Sequence, residues 1–237
     1  MTSLLDLAPT GVLRASINLG NAVLTNGSTE APAGITVDIA HELGRRLGVP
    51  VELVLWDAAR KSVDAVRDDA ADVCFLAVDP VRAEELAFSS PYVLIEGAYA
   101  VRDASPLRSA SEVDRDGIRI GVKTGSAYDL HLTREMTTAE IVRGSDGVDV
   151  FEQEDLDVAA GVAQPIEAYV SANPGLRVLD GAFMQIPQAV AISRRHDDDT
   201  VAWVGAVVDE LLESGWVGEA LARHGHDPAL AAPAAGH

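Results

Sequence analysis

The chain has one cysteine, Cys74, in 237 residues, and it is short of positive charge, with 18 Lys and Arg against 37 Asp and Glu. A lone thiol excludes an internal disulfide framework and a cysteine-rich zinc site, and its setting in "ADVCFLAV" (71–78) reads as a small buried core residue. The formal net charge of −19 would repel a phosphate backbone and an anionic membrane surface, so no nucleic-acid partner is expected. No apolar run approaches the length that spans a bilayer, and no membrane insertion is expected. The opening "MTSLLDLAPTGVLRASINLG" has neither the basic region, the apolar stretch nor the cleavage site of a secretory leader, which gives a cytoplasmic expectation. Also missing are a G-x-S-x-G elbow, a Walker A motif and a G-x-G-x-x-G fingerprint. A serine hydrolase or nucleotide enzyme is therefore disfavoured, and no cofactor is expected. The histidines, His41, His131, His196, His224, His226 and His237, show no metal spacing beyond one His-x-His and read as isolated surface residues.

What is present is a chain 48% hydrophobic, enough to bury the core of one large domain or two lobes. "VLRASINL" (12–19) reads as a strand. In "GITVDIAHELGRRLG" (34–48) Ile35, Ile39, Leu43 and Leu47 recur at helical spacing until Gly48 ends the helix. "VELVLW" (51–56), a helix near Ala58 to Arg67, and the unbroken apolar strand at 71–78 complete a parallel α/β unit. After the apolar stretch "PYVLIEGAYAV" (91–101) the pattern starts again. Strands at 118–122, 140–144 and 156–161 alternate with helices from Ser126, near Val148 to Glu154, and from Pro165. "FMQIPQAVAIS" (183–193) precedes two closing helices, 200–215 and 216–225, and the Ala- and Pro-rich tail 226–237 reads as loose. Two such units normally face each other across a cleft, a favoured place for a ligand.

In "DPVRAEELAFSSPY" (79–92), Asp79 and Pro80 have the form of a helix start, which places Arg82 in the first turn. A cation there opposes the helix dipole unless an anion lies between the guanidinium and the free N–H groups. The alternative is local pairing with Glu84 or Glu85. In "GVKTGSAYDL" (121–130), Ser126 and Asp129 have the spacing of a capping box after a strand. Glu96 is the one charge in the apolar run 91–101, and a buried carboxylate there would need a partner, with Lys61 and Lys123 as candidates, or exposure to a cleft. Gln164, Gln185 and Gln188 gather near 183–193 and could hydrogen-bond a ligand or lie on the surface.

Taken together, "GVLRASI", "GITVDIAHELGRRLG", the strand beginning at Asp72, "VRAEELAFSSPY", "IRIGVKTGSA" and "ESGWVGEALARHG" resemble the type II solute-binding proteins of the amino-acid-binding class, family 3. Those proteins serve ATP-driven importers, and the likeness runs from Gly11 to Gly225. It implies an α/β, two-lobed, periplasmic-binding-protein-like (type II) fold with the ligand cleft between lobes. Lobe 1 would span 1–100 and return over 193–225, lobe 2 would span 101–192, and the crossovers would lie near Ala98–Asp103 and Ala189–Arg194. The resemblance implies further that Arg82 holds a ligand carboxylate, assisted by Ser126 and the Ala127 backbone, with a transporter partner if a leader has been removed. Two features depart from the family pattern. Val162 stands where an acid usually takes the ligand's ammonium, so carboxylates lacking an ammonium are expected to bind better than ordinary α-amino acids. Asn18 and Asn21 stand in the loop that usually offers an aromatic ring. A small-carboxylate binder, with Lys123 and Gln164 also at its ligand site, ranks first. The alternative is an enzyme on the same scaffold, a lyase, dehydratase or isomerase of a small carboxylate, in which Glu96 is the general acid or base, tuned by Lys61 or Lys123.

Overall fold

The computed structural model describes residues 4–234, and the chain divides into two compact units, residues 1–94 with 187–237 and residues 95–186. In the first unit, β1 (Leu13–Asn18) is followed by a two-stranded ribbon of β2 (Asn26–Gly27) and β3 (Pro32–Ala33). Helix α1 (Ile35–Leu47) then buries Ile35, Ile39 and Leu43, the expected apolar stripe. It stops at Gly48, whose φ of 73° suits glycine, with the Gly48 and Val49 N–H groups donating to the carbonyls of Arg45 and Gly44. β4 (Val51–Trp56), α2 (Ala59–Arg67) and β5 (Val73–Ala77) follow, and β1 pairs in parallel with both β4 and β5. All five β5 residues are buried, as its unbroken apolar run requires. Asp72, just ahead of β5, accepts from the Arg14 N–H at 2.7 Å and from the Arg14 guanidinium at 2.5 Å, which ties the start of β5 to β1.

The chain leaves the first unit along β6 (Leu86–Arg102). The second unit repeats the plan, with β7 (Arg119–Lys123), α3 (Ala127–Glu135), β8 (Glu140–Gly144), α4 (Gly147–Gln153), β9 (Val158–Val162) and α5 (Ala163–Ala172). β7 is parallel to β8 and β9, while β9 and the short β10 (Leu176–Val178) are antiparallel to β6. The return is β11 (Met184–Ser193), antiparallel to β5, and the chain closes with α6 (Asp198–Glu213) and α7 (Trp216–Arg223). The units divide at Leu94/Ile95 and Ile186/Pro187, a few residues ahead of the segments named from the sequence. Both divisions fall inside continuous strands, which carry no turn residues to mark them.

Two expectations change. The segment from Asp79 is not the first turn of a helix but a single 3-10 turn over Arg82–Glu84. Asp79 accepts from the Val81 N–H through Oδ1 and from the Ala83 N–H through its carbonyl, both at 2.9 Å. A single turn sums almost no dipole, so the conflict expected for Arg82 does not arise. The tail is held over 226–232. Asp227 caps a short turn at Pro228–Leu230, Ala231 bridges to Val93, and the Ala232 N–H donates to the Tyr92 carbonyl at 3.0 Å. Residues 235–237 lie outside the described residues.

Ion pairs tie the closing helices to α1. Glu42 accepts from Arg45 at 2.7 Å and Arg46 at 2.8 Å, and Arg46 also reaches Glu210 of α6. Arg223 and His224 both meet Asp38 at 3.0 Å, so His224 is not the isolated surface histidine expected. The Arg45 guanidinium holds the Glu42 carboxyl down to about 2. A depressed carboxylate contributes stability that is present above its ordinary value and lost as the pH falls toward about 2. Glu42→Gln should therefore lower thermal stability at neutral pH, by on the order of 1 kcal/mol, and the gap to wild type should close as the pH approaches 2. A gap independent of pH would disconnect it from this charge.

Candidate functional site

In each unit three parallel strands end side by side. The order is β4-β1-β5 in the first and β8-β7-β9 in the second, and the loops that leave the carboxyl ends of such strands are where α/β folds gather ligand groups. In the first unit those ends are Asn18, Trp56 and Ala77. Asn18 and Asn21 fold the loop after β1, accepting through Oδ1 from the N–H groups of Gly20 at 3.0 Å and Val23 at 3.3 Å.

Arg82 lies just past β5 and is 5% exposed. Its Nη1 donates to the Ala77 carbonyl at 3.0 Å, which fixes the guanidinium at the end of that strand. Burial pulls its pKa below the ordinary arginine value, and the charge of Asp79, itself 3% exposed, opposes that shift. Glu84 and Glu85 are exposed. Gln188, buried on β11, stands opposite Ala77 in the register.

In the second unit the matching positions follow β7 and β9. Gly125, at a φ of 71°, turns the chain after Lys123 so that Ser126 caps α3, accepting from the Asp129 N–H at 3.1 Å. The Asp129 side chain reaches back to the Gly125 N–H at 2.8 Å and takes the Arg143 Nε at 2.9 Å. The expected capping box is thus present, shifted by one residue on its return bond and tied to β8. The loop carrying Ser126 and Ala127 is held from both sides. Gln164 is the second residue of α5, directly after β9, and its Oε1 is buried with no hydrogen-bond partner.

Residues 23–227 match the sequence profile of the bacterial extracellular solute-binding proteins, family 3. The chain belongs to that family. Solved solute-binding folds align along nearly its whole length. An amino acid ABC transporter substrate-binding protein from Streptococcus pneumoniae Canada MDR_19A, bound to L-arginine, is 18% identical, with 94% of this chain and 98% of that one covered and a TM-score of 0.76. A putative binding component of an ABC transporter from Wolinella succinogenes, complexed with lysine, is 19% identical over 90% and 95%, with a TM-score of 0.74. The ancestral amino acid-binding protein AncCDT-1, a precursor of cyclohexadienyl dehydratase, is 18% identical over 94% and 99%, with a TM-score of 0.76. At these identities the likeness shows the type II solute-binding fold.

Within this solute-binding protein Asn18, Asn21 and Arg82 lie at the carboxyl-end loops of the first unit, and Lys123, Ser126, Ala127 and Gln164 at those of the second. Of the residues named for an enzyme, Glu96 is exposed on β6, next to Gly97, which pairs with Val162 at the carboxyl end of β9, and Lys61 pairs with Asp57 one turn away at 2.7 Å. Trp56 was not singled out from the sequence, and Asp79 was read only as the start of a helix. Trp56 ends β4 opposite Asn18 and has its Nε1 buried without a partner, and its place as the last residue of a strand ahead of a helix was a usable signal. A surface hollow of about 530 Å³ on the second unit, between Arg102, Tyr169 and Asn173, contains none of the candidates. Among the described residues no helix is long and apolar enough to cross a membrane, and no group of three or more His, Cys, Asp or Glu side chains could hold a metal ion.

Proposed function

We propose that the protein binds a small carboxylate-bearing, amino-acid-like solute, with Arg82 as the carboxylate anchor of the first unit and the Ser126–Ala127 end of α3 contributing from the second. The observation that carries this is the buried Arg82 guanidinium, held by the Ala77 carbonyl at the carboxyl ends of three parallel strands. A buried planar fork held in place by the chain is well suited to a two-pronged contact with a carboxylate. The α3 N-terminus adds backbone donors beside the Ser126 hydroxyl. Family membership, and relatives whose structures hold arginine or lysine, support an amino-acid-like solute and a membrane transporter as the partner that receives it.

The test is calorimetric titration of the twenty standard L-amino acids and a set of simple carboxylates, after a thermal-shift screen. A saturable ligand whose affinity is lost without Arg82 supports the reading, and failure of every carboxylate to bind overturns it. Gln164 gives a second check with opposite signs in two measurements. A buried amide oxygen with no partner costs about 1–3 kcal/mol, so Gln164→Leu should hold or raise the melting temperature of the free protein. If Oε1 meets the solute, the same substitution lowers affinity about tenfold. Unchanged affinity would remove Gln164 from the site.

A further inference from the structure

Past α7 the chain turns back along the first unit. The His226 N–H donates to the Leu221 carbonyl at 2.9 Å, Asp227 caps the turn at Pro228–Leu230, and Pro228 lies close enough to Gly218 of α7 that a Cβ there would meet it at 3.6 Å. Ala231 then bridges to Val93, and the Ala232 N–H donates to the Tyr92 carbonyl at 3.0 Å. Both contacts fall on β6 just before the chain passes from the first unit to the second at Leu94/Ile95. Beyond that division β6 is paired by β9 from Gly97 and by β10 from Ala100. Residues 226–232 are thus a strap that runs from α7 to the crossover strand. Its grip is small, since a backbone hydrogen bond and one buried alanine favour the seated strap by on the order of tenfold.

We propose that this strap gates the exchange of solute: seated, it stiffens β6 at the crossover, and it lifts only during passage between the solute-free and solute-bound forms. The gate rests on the protein taking up a small solute, as proposed above. Uptake by hinged binding proteins is absorbed as changes of φ and ψ in a few residues of the crossing segments. Strand residues whose backbone groups are paired resist such changes, and here the strap supplies the pairing at Tyr92 and Val93. Every group the strap holds belongs to the first unit, so it is seated with and without solute. A restraint common to both forms favours neither, and it sets rates rather than affinity.

The bonding at Val93 and Ala231 is that of a non-hydrogen-bonded antiparallel pair, in which side chains approach most closely. Val93→Cys with Ala231→Cys can therefore be joined as a disulfide, and the reduced form controls for the substitutions themselves. Cys74 is buried and does not compete. Stopped-flow mixing with the tightest-binding standard L-amino acid should show association and dissociation both at least about threefold slower in the oxidised form than in the reduced form, with Kd within about twofold. Ala232→Pro removes the donor to Tyr92 and should speed both steps by a similar factor. Ala231, at φ −57° and ψ 131°, already has the backbone that a following proline requires. Equal rates in the two redox forms would overturn the strap. So would a change confined to one rate, because that marks a preference for one form instead of a gate. Amide hydrogen exchange over residues 92–98, with β1 as the internal reference, separates this inference from the solute reading. Exchange that is faster in Ala232→Pro and slower in the oxidised form supports the strap even where no amino acid binds and the proposed solute fails, and unchanged exchange overturns it.

Discussion

Arg82→Ala should weaken solute binding roughly 30-fold to several-thousand-fold, the range that follows when one partner of a desolvated, hydrogen-bonded charge pair is truncated. Arg82 is 5% exposed and its guanidinium donates to the Ala77 carbonyl, so the cation that is lost is one held in place by the chain. Burial adds a second effect that a surface arginine would lack. Removing Arg82 also withdraws a cation whose charge acts on buried Asp79, and loss of an opposite charge near a buried carboxylate should lower stability. Affinity and melting temperature should fall together. The double substitution Arg82→Ala with Asp79→Asn separates them, since it removes both charges and should recover much of the stability while binding stays lost. Arg82→Lys should recover only part of the affinity, because a point charge cannot make the planar two-pronged contact. Calorimetry with the tightest amino acid, beside thermal unfolding of each variant, reads both quantities. Unaltered affinity in Arg82→Ala would make this arginine a structural group only.

Cys74 should be almost inert toward thiol reagents in the native protein. Its side chain has no exposed surface, and burial pushes the thiol up to about 12 against the pull of the nearby Arg82 charge. The thiolate is the reacting species, so near pH 8 only about one molecule in ten thousand carries it, and that one is covered. Labelling by a disulfide reagent should be at least about a thousandfold slower in buffer than in denaturant. A raised thiol pKa contributes stability that is fully present below the ordinary thiol value and lost as the pH rises from there through about 12, because the unfolded chain ionises first. Cys74→Ala should therefore flatten the alkaline limb of the stability profile. Comparable labelling rates in buffer and denaturant would refute the burial.

The repeated alternation of strand and helix was legible because each element carries its own period. The stripe Ile35, Ile39, Leu43 ends at Gly48, and the unbroken run of β5 is buried throughout, as read. Asp79 shows where local pattern gives out. Asp-Pro begins helices, but whether a second turn follows depends on what the next residues pack against, and here Leu86 enters a long strand instead. The tail's Ala and Pro composition reads as a loose end, whereas Ala231 and Ala232 meet Val93 and Tyr92, far away in sequence. At the candidate site, Arg82 and Ser126 could be picked out by spacing and likeness. The burial of Asp79 so near Arg82 could not, because three residues of separation do not reveal that both side chains are buried.

The second unit is one uninterrupted stretch of chain, residues 95–186, set inside a first unit that needs residues from both sides of it. A ribosome therefore releases every strand of the second unit before it has made β11, the antiparallel neighbour of β5. Until β11 emerges, β5 presents an open hydrogen-bonding edge on an otherwise apolar strand, the kind of edge that invites association with other nascent chains. Birth order thus gives the inserted unit the first opportunity to fold and leaves the unit that carries Arg82 to be finished last.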